Sequence, residues 1–92
     1  MAWENGDIYT GEWKAGYMHG EGVFTRENGS KYQGFFSIDE KNGHGVQEWA
    51  DGDKYDGLWR NGKRHGQGIF TYADGTTRKG LWDAGERVKW LD

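Results

Sequence analysis

The 92-residue sequence contains neither cysteine nor proline. Without cysteine there is no disulfide framework and no thiolate zinc site, and a reducing compartment is weakly favoured. Without proline, collagen and proline-rich linkers are excluded. No run approaches the roughly 20 apolar residues that a membrane-spanning helix needs. The opening Met1-Ala2-Trp3-Glu4-Asn5-Gly6-Asp7 lacks the basic start and apolar stretch of a secretory signal. A soluble, cytoplasmic chain is expected, in the cytosol or associated with cytoskeleton or membrane. Strong charge of one sign is also missing: 12 Lys and Arg against 15 Asp and Glu give −3. Nothing in that total draws the chain to nucleic acid or an anionic membrane, so such binding would need a local patch. At this length folding buries about 60–65% of the unfolded surface, which argues against a deep, enclosed active site.

Aliphatic side chains are scarce as well. Hydrophobic residues make up 34% of the sequence, and nearly half of them are rings: six Trp, five Tyr and four Phe. Seventeen glycines accompany them, and glycine costs about 1 kcal/mol relative to alanine inside a helix, which argues against a helical bundle. The glycines are periodic. Tyr9, Tyr32 and Tyr55 stand 23 residues apart, with Arg78 in the next equivalent position. Counting each repeat from its tyrosine as place 1, glycines fall at place 3 (Gly11, Gly34, Gly57, Gly80), place 8 (Gly16, Gly62, Gly85), place 12 (Gly20, Gly43, Gly66), place 14 (Gly22, Gly45, Gly68) and place 21 (Gly6, Gly29, Gly52, Gly75). Every glycine obeys the period. Place 5 carries a large ring: Trp13, Phe36, Trp59, Trp82.

Between glycines the pattern alternates with a period of two, as in strands whose faces differ. Place 21 always follows Asn or Asp, and Asx-Gly predicts a type I′ hairpin turn with two positive-φ residues. The opposite turn, over places 6 to 11, is expected to be longer. The fold class is therefore all-β: a single elongated, twisted antiparallel meander of 23-residue hairpin repeats, seven or eight short strands with no second layer. Residues 1–92 read as one domain, with a partial repeat at 1–8, repeats at 9–31, 32–54 and 55–77, and a C-terminal capping partial repeat at 78–92.

Tyr55-Asp56-Gly57-Leu58-Trp59-Arg60-Asn61-Gly62-Lys63-Arg64-His65-Gly66-Gln67-Gly68 resembles a full MORN repeat, the membrane occupation and recognition nexus motif, and Tyr9 to Gly22 resembles it nearly as well. The repeat at Tyr32 departs from it, with Phe36 for Trp, Asp39 for the turn glycine and Asn42 for His, which predicts a differently shaped turn there. The resemblance covers essentially the whole chain as about three and a half repeats. It implies an elongated, curved antiparallel sheet that serves as an interaction module, in some cases dimerises, and has been proposed to bind phospholipid.

Pairing the strands puts places 1, 3 and 5 on one face with places 14, 16 and 18. That face collects Tyr9, Trp13, Phe24, Tyr32, Phe36, Trp49, Tyr55, Trp59, Phe70, Tyr72 and Trp82, with Trp3 at its edge. Each ring is expected to lie over a neighbouring glycine as lid over floor. Were each of the eleven to keep on the order of 80 Å² exposed, about 900 Å² of aromatic surface would remain, well above the size at which a patch marks a binding site. These rings are the candidate partner-binding residues, for a protein segment or a second copy of the chain. The competing reading has them stack on one another and on glycine as a curved core. The opposite face carries a thinner stripe of Phe35, Leu58, Leu81, Val23, Val46 and Ile69.

The last repeat replaces its glycines with Val88-Lys89-Trp90-Leu91, a terminal cap, or a dimer edge if Trp90 and Leu91 stay exposed. Trp3 sits at place 18 of a repeat whose first half is missing, so either the chain starts mid-repeat or it is a piece of a longer array. Charge is uneven: places 19 to 22 hold Glu4, Asp7, Glu27, Asp51, Asp53 and Asp74 and no basic residue, and places 6 to 11 hold Lys14, Lys41, Arg60, Lys63, Arg64 and Arg87 against Asp39, Glu40, Asp83 and Glu86. Arg60, Lys63 and Arg64 in the long turn are the candidates for a phospholipid headgroup or an acidic partner. No metal site is expected, since His19 and His65 stand about 19 Å apart at about 4.8 Å per strand, and His44 lacks a ligand cluster. A turn imidazole bonded to nearby backbone is the plainer role for each. No activated serine, thiol or phosphate-cradling loop is present, so neither enzyme activity nor a cofactor is expected. Aromatic cages for sugar or choline rank third, after protein and lipid.

Overall fold

The computed structural model describes residues 1–91. Eight strands follow one another as β1 (Ile8–Lys14), β2 (Tyr17–Thr25), β3 (Lys31–Ser37), β4 (Glu40–Glu48), β5 (Lys54–Arg60), β6 (Lys63–Thr71), β7 (Thr77–Asp83) and β8 (Glu86–Trp90). They form one antiparallel sheet in the order β1 to β8, each strand paired only with its neighbours in sequence, so the sheet stays open. The molecule measures 40 × 24 × 16 Å. Ala2 bridges to Ile8, and the Tyr9 amide donates to the Met1 carbonyl at 2.7 Å, which folds the N-terminal segment along part of the β1 edge.

The two kinds of turn are the reverse of the sequence expectation. The connections after β1, β3, β5 and β7 are two-residue loops with both residues at positive φ, as a type I′ turn requires: Ala15 and Gly16, Ile38 and Asp39, Asn61 and Gly62, Ala84 and Gly85. The Asx-Gly connections are the longer ones. At Arg26–Ser30 the Gly29 amide donates to the Arg26 carbonyl (3.0 Å) and the Arg26 amide to the Ser30 carbonyl (2.8 Å). Only Gly29 has positive φ there, so the loop is a type I turn followed by a glycine bulge. The asparagine serves through its side chain instead: Asn28 Oδ1 accepts from the Ser30 amide at 2.9 Å, and Asp51 and Asp74 accept likewise from Asp53 and Thr76. The turn at Ile38-Asp39 keeps the two-residue geometry of the others despite its substitutions. Asp39 Oδ1 accepts from the Met18 amide at 2.8 Å, tying it to the preceding repeat.

Register explains the glycine at place 12. Gly11 pairs with Gly22 but Trp13 pairs with Met18, so the even strand carries two extra residues there, and Gly20, inside that excursion, has φ +76°. The same shift recurs between Gly34 and Phe36 and between Gly57 and Trp59. Successive repeats are also linked at their tight turns, where the amides of Asp39, Gly62 and Gly85 donate to the carbonyls of Met18, Lys41 and Arg64 at 2.9 to 3.1 Å.

Candidate functional site

Cross-strand pairs align Gly11, Gly22, Gly34, Gly45, Gly57, Gly68 and Gly80 into one row across seven strands, closed by Trp90 opposite Gly80. The tyrosine rings lie on this row. A Cβ built on Gly22, Gly45 or Gly68 would collide with the phenol of Tyr9, Tyr32 or Tyr55. Their hydroxyls cross the row and donate to the carbonyls of Glu12 (2.7 Å), Phe35 (2.8 Å) and Leu58 (3.0 Å). Burial raises all three phenol pKa values, Tyr55 to about 12, so the hydroxyls stay protonated donors. The place 5 rings complete an edge-to-face chain from Trp13 through Tyr9, Phe36, Tyr32, Trp59, Tyr55 and Trp82 to Trp90, with centroids 4.8 to 6.0 Å apart.

This packing corrects the expectation of an open aromatic face. Tyr9, Tyr32 and Tyr55 are at most 1% exposed, and Phe36, Trp59 and Trp82 are buried too. The rings cover one another, so six of the eleven add almost nothing to an exposed face. Of the eleven ring residues, Trp13 is exposed, while Phe24, Trp49, Phe70 and Tyr72 are half-buried. Trp90 packs edge-to-face against Trp82 and is half-buried, and Leu91 is exposed. On the opposite face Phe35, Leu58 and Ile69 are 40–46% exposed, more open than most of the rings.

The sequence reading passed over place 10. Trp13 faces Met18, Phe36 faces Lys41, Trp59 faces Arg64 and Trp82 faces Arg87, so place 10 forms a row over the ring chain. Pairing place 5 with place 10 across the tight turn would have found it. The Lys41 ammonium lies 5.2 and 4.9 Å from the Tyr32 and Trp59 ring centres and donates to Gln47 Oε1 at 2.8 Å. Arg64 lies over Trp49, Tyr55 and Trp82, and Arg87 over Trp90. Burial lowers the Lys41 pKa to about 8, and Arg26 adds to the effect; burial also lowers that of Arg64. Arg64 thus leaves the basic turn cluster proposed for lipid: it points onto the rings, and Arg60 and Lys63 remain at the turn edge near Glu40 and Asp83. Two hollows open on the ring face. One, of 210 Å³, lies between the first two repeats against Met18, Phe24, Arg26, Phe36 and Lys41; the other, of 180 Å³, is bounded by Arg64, Phe70, Tyr72, Arg87 and Trp90.

A MORN repeat model matches residues 9–31, 32–54 and 55–77, more than half of the chain. The chain belongs to the MORN repeat family. No curated protein matches it. The MORN repeat family is non-catalytic, and its fold is generally a protein-interaction or scaffold module. Among the described residues of this MORN chain no group of three His, Asp or Glu is placed to hold a metal. Two of the histidines meet carboxylates rather than the backbone expected of them: His44 Nε2 meets Asp56 Oδ1 at 2.7 Å on the face away from the rings, and His65 Nδ1 lies 3.6 Å from Asp83. On that same face the glycine row leaves a wide, shallow trough between Thr10, Glu21, Gln33 and Phe35.

Proposed function

We infer that this MORN chain is a docking module that takes a protein segment along its ring face. The observation that carries this is the 210 Å³ hollow between the first two repeats, walled by Met18, Phe24 and Phe36 and flanked by Arg26 and Lys41 with Asp39 and Glu40 at the turn end. An apolar floor with a few polar groups at its rim is the usual form of a ligand pocket. The fully buried tyrosines hold the scaffold; contact falls to Met18, Phe24, Trp49, Phe70, Tyr72 and the cations among them. A second copy of the chain is the rival occupant, and light scattering during size-exclusion chromatography separates the two. Phospholipid binding at Arg60 and Lys63 gains no support from Arg64, which has withdrawn from that edge, and anionic vesicles that fail to sediment the chain at low salt would remove it.

The deciding experiment is selection of short random segments displayed against the folded chain. Selected binders are expected to weaken by about tenfold or more in Phe24→Ala and Met18→Glu variants that keep the wild-type near-ultraviolet dichroism. Binders indifferent to both substitutions would place docking elsewhere, with the exposed Phe35 and Leu58 stripe the next surface to examine.

A further inference from the structure

We propose that the ring face receives an extended acidic segment in the polyproline II conformation, with a carboxylate at every third residue set against Lys41, Arg64 and Arg87. This rests on the reading of the ring face as a docking surface and adds the chemistry and period of the occupant. The three cations stand in one row, each over aromatic rings: Lys41 4.9 Å from the centre of Trp59, Arg64 5.7 Å from Trp82, Arg87 4.6 Å from Trp90. Among the described residues none of the three forms an ion pair with a carboxylate. Lys41 and Arg64 each spend one donor on a neutral oxygen, of Gln47 and Gly85, and a row of cations without carboxylate partners over aromatic rings is complementary to anions; a carboxylate brought to Lys41 or Arg64 would meet a half-buried cation.

Spacing selects the conformation. Each repeat is two strands wide, so the cations recur about every 9.6 Å. A polyproline II segment advances about 3.1 Å per residue with three residues per turn, which returns a side chain to the same side every 9.3 Å or so. A β-strand also advances about 10 Å in three residues, but its third side chain points away. An α-helix needs seven residues and about 10.5 Å, a mismatch of nearly 2 Å over the two intervals of the row. The hollows agree with the same period: they lie two repeats apart, about 19 Å, which six residues of polyproline II span.

Fluorescence anisotropy with two labelled peptides of equal charge tests this: four copies of Glu-Pro-Pro, and four copies of Glu-Pro-Pro-Pro, in which the carboxylates spiral around the segment. The three-residue period is expected to bind about tenfold tighter. Lys41→Met, Arg64→Met and Arg87→Met should each weaken it about fivefold or more, and Arg60→Met should leave it unchanged. Equal binding of the two peptides, no binding of either, or indifference to the three Met variants overturns the proposal. If the displayed segments still depend on Phe24 and Met18 while the acidic peptides fail, only the chemistry of the occupant is wrong; if both fail, the docking surface is wrong as well. Phosphatidylserine vesicles that sediment the chain and lose it in the same three variants, with no period preference among peptides, would assign the row to a lipid surface and overturn the proposal too.

Discussion

The repeats that begin at Tyr32 and at Tyr55 share a backbone and differ in chemistry. Both lay a tyrosine on a place 14 glycine and donate its hydroxyl to the place 4 carbonyl, and both turn on two positive-φ residues. Yet the first uses Phe36, Ile38-Asp39, Lys41 and Gln47 where the second uses Trp59, Asn61-Gly62, Arg64 and Phe70. Trp59 gains a buried bond from its indole N–H to the Gly45 carbonyl at 3.1 Å that Phe36 has no donor to make. The tyrosine and the glycines under it fix the sheet, whereas places 5, 7, 8, 10 and 16 are free to change and therefore carry whatever distinguishes one repeat's surface from the next.

The strongest way to break that division is at its shared part. Gly45→Ala puts a methyl 2.1 Å from the Tyr32 hydroxyl, and Gly68→Ala puts one 2.4 Å from the Tyr55 ring. Neither tyrosine can stay, and the loss resembles removing a buried aromatic side chain, about 3 kcal/mol or more in each repeat. That is a large share of the roughly 5–15 kcal/mol by which a domain is stable. Gly29→Ala has open space around it and only a positive φ to satisfy, so about 1 kcal/mol is expected. Chemical denaturation of the three variants measures the contrast. A loss under about 1 kcal/mol at Gly45 or Gly68 would mean that ring-on-glycine contact does not hold the sheet.

That contact was legible in the sequence, because a 23-residue period and a two-residue alternation put every ring and glycine in register without knowledge of any atom. The two turn types were not. Asx-Gly signals a tight hairpin only when both residues adopt positive φ, and here Asn28 and its equivalents spend their side chains on an amide two residues on, which fits a type I turn. The ring face was legible in membership but not in exposure. Composition counts rings; whether neighbours cover them depends on edge-to-face angles and on a two-residue excursion in β2, β4 and β6 that no pattern of polarity announces. Place 10 was not recognised as a row because Lys41, Arg64 and Arg87 look like turn charges until Trp59 is paired with Arg64.

Lys41 against Arg64 gives an intermediate effect with a pH signature. The Lys41 amine has its folded pKa lowered to about 8 by burial, from an ordinary 10.5. Between those values the unfolded chain binds more protons than the folded one, so stability rises with pH across the window and the deficit is fully present below about 8. Lys41→Met, which reproduces the Met18 of the first repeat, should stabilise the chain at pH 7 by about 1–2 kcal/mol after allowing for the lost cation–ring contact, and flatten the rise. Arg64→Met should leave the slope unchanged, because the guanidinium keeps its proton throughout. The buried tyrosines act in the opposite sense: their raised values favour the folded form below about 10 and lose that effect above it. Urea denaturation between pH 7 and 9.5 therefore isolates the lysine. A wild-type profile that is flat over this range would show that the amine is solvated and that the row is less apolar than its surroundings indicate.

The smallest expected change is at the turn. Ile38 has φ +48° and is 63% exposed, so a β-branched residue sits in the left-handed region with little burial to offset the clash. The equivalent Asn61 holds φ +52° with a side chain that tolerates it. Ile38→Asn should raise stability by about 1 kcal/mol and Asn61→Ile should lower it by about as much, each read as a shift in denaturation midpoint at constant slope. Asp39 is best left in place, since its carboxylate accepts from the Met18 amide at 2.8 Å and a glycine there would exchange strain for a lost link between repeats. If Ile38→Asn fails to stabilise while Asn61→Ile destabilises, the turn geometries are not equivalent after all, and the departure of the Tyr32 repeat from the family pattern extends to its backbone.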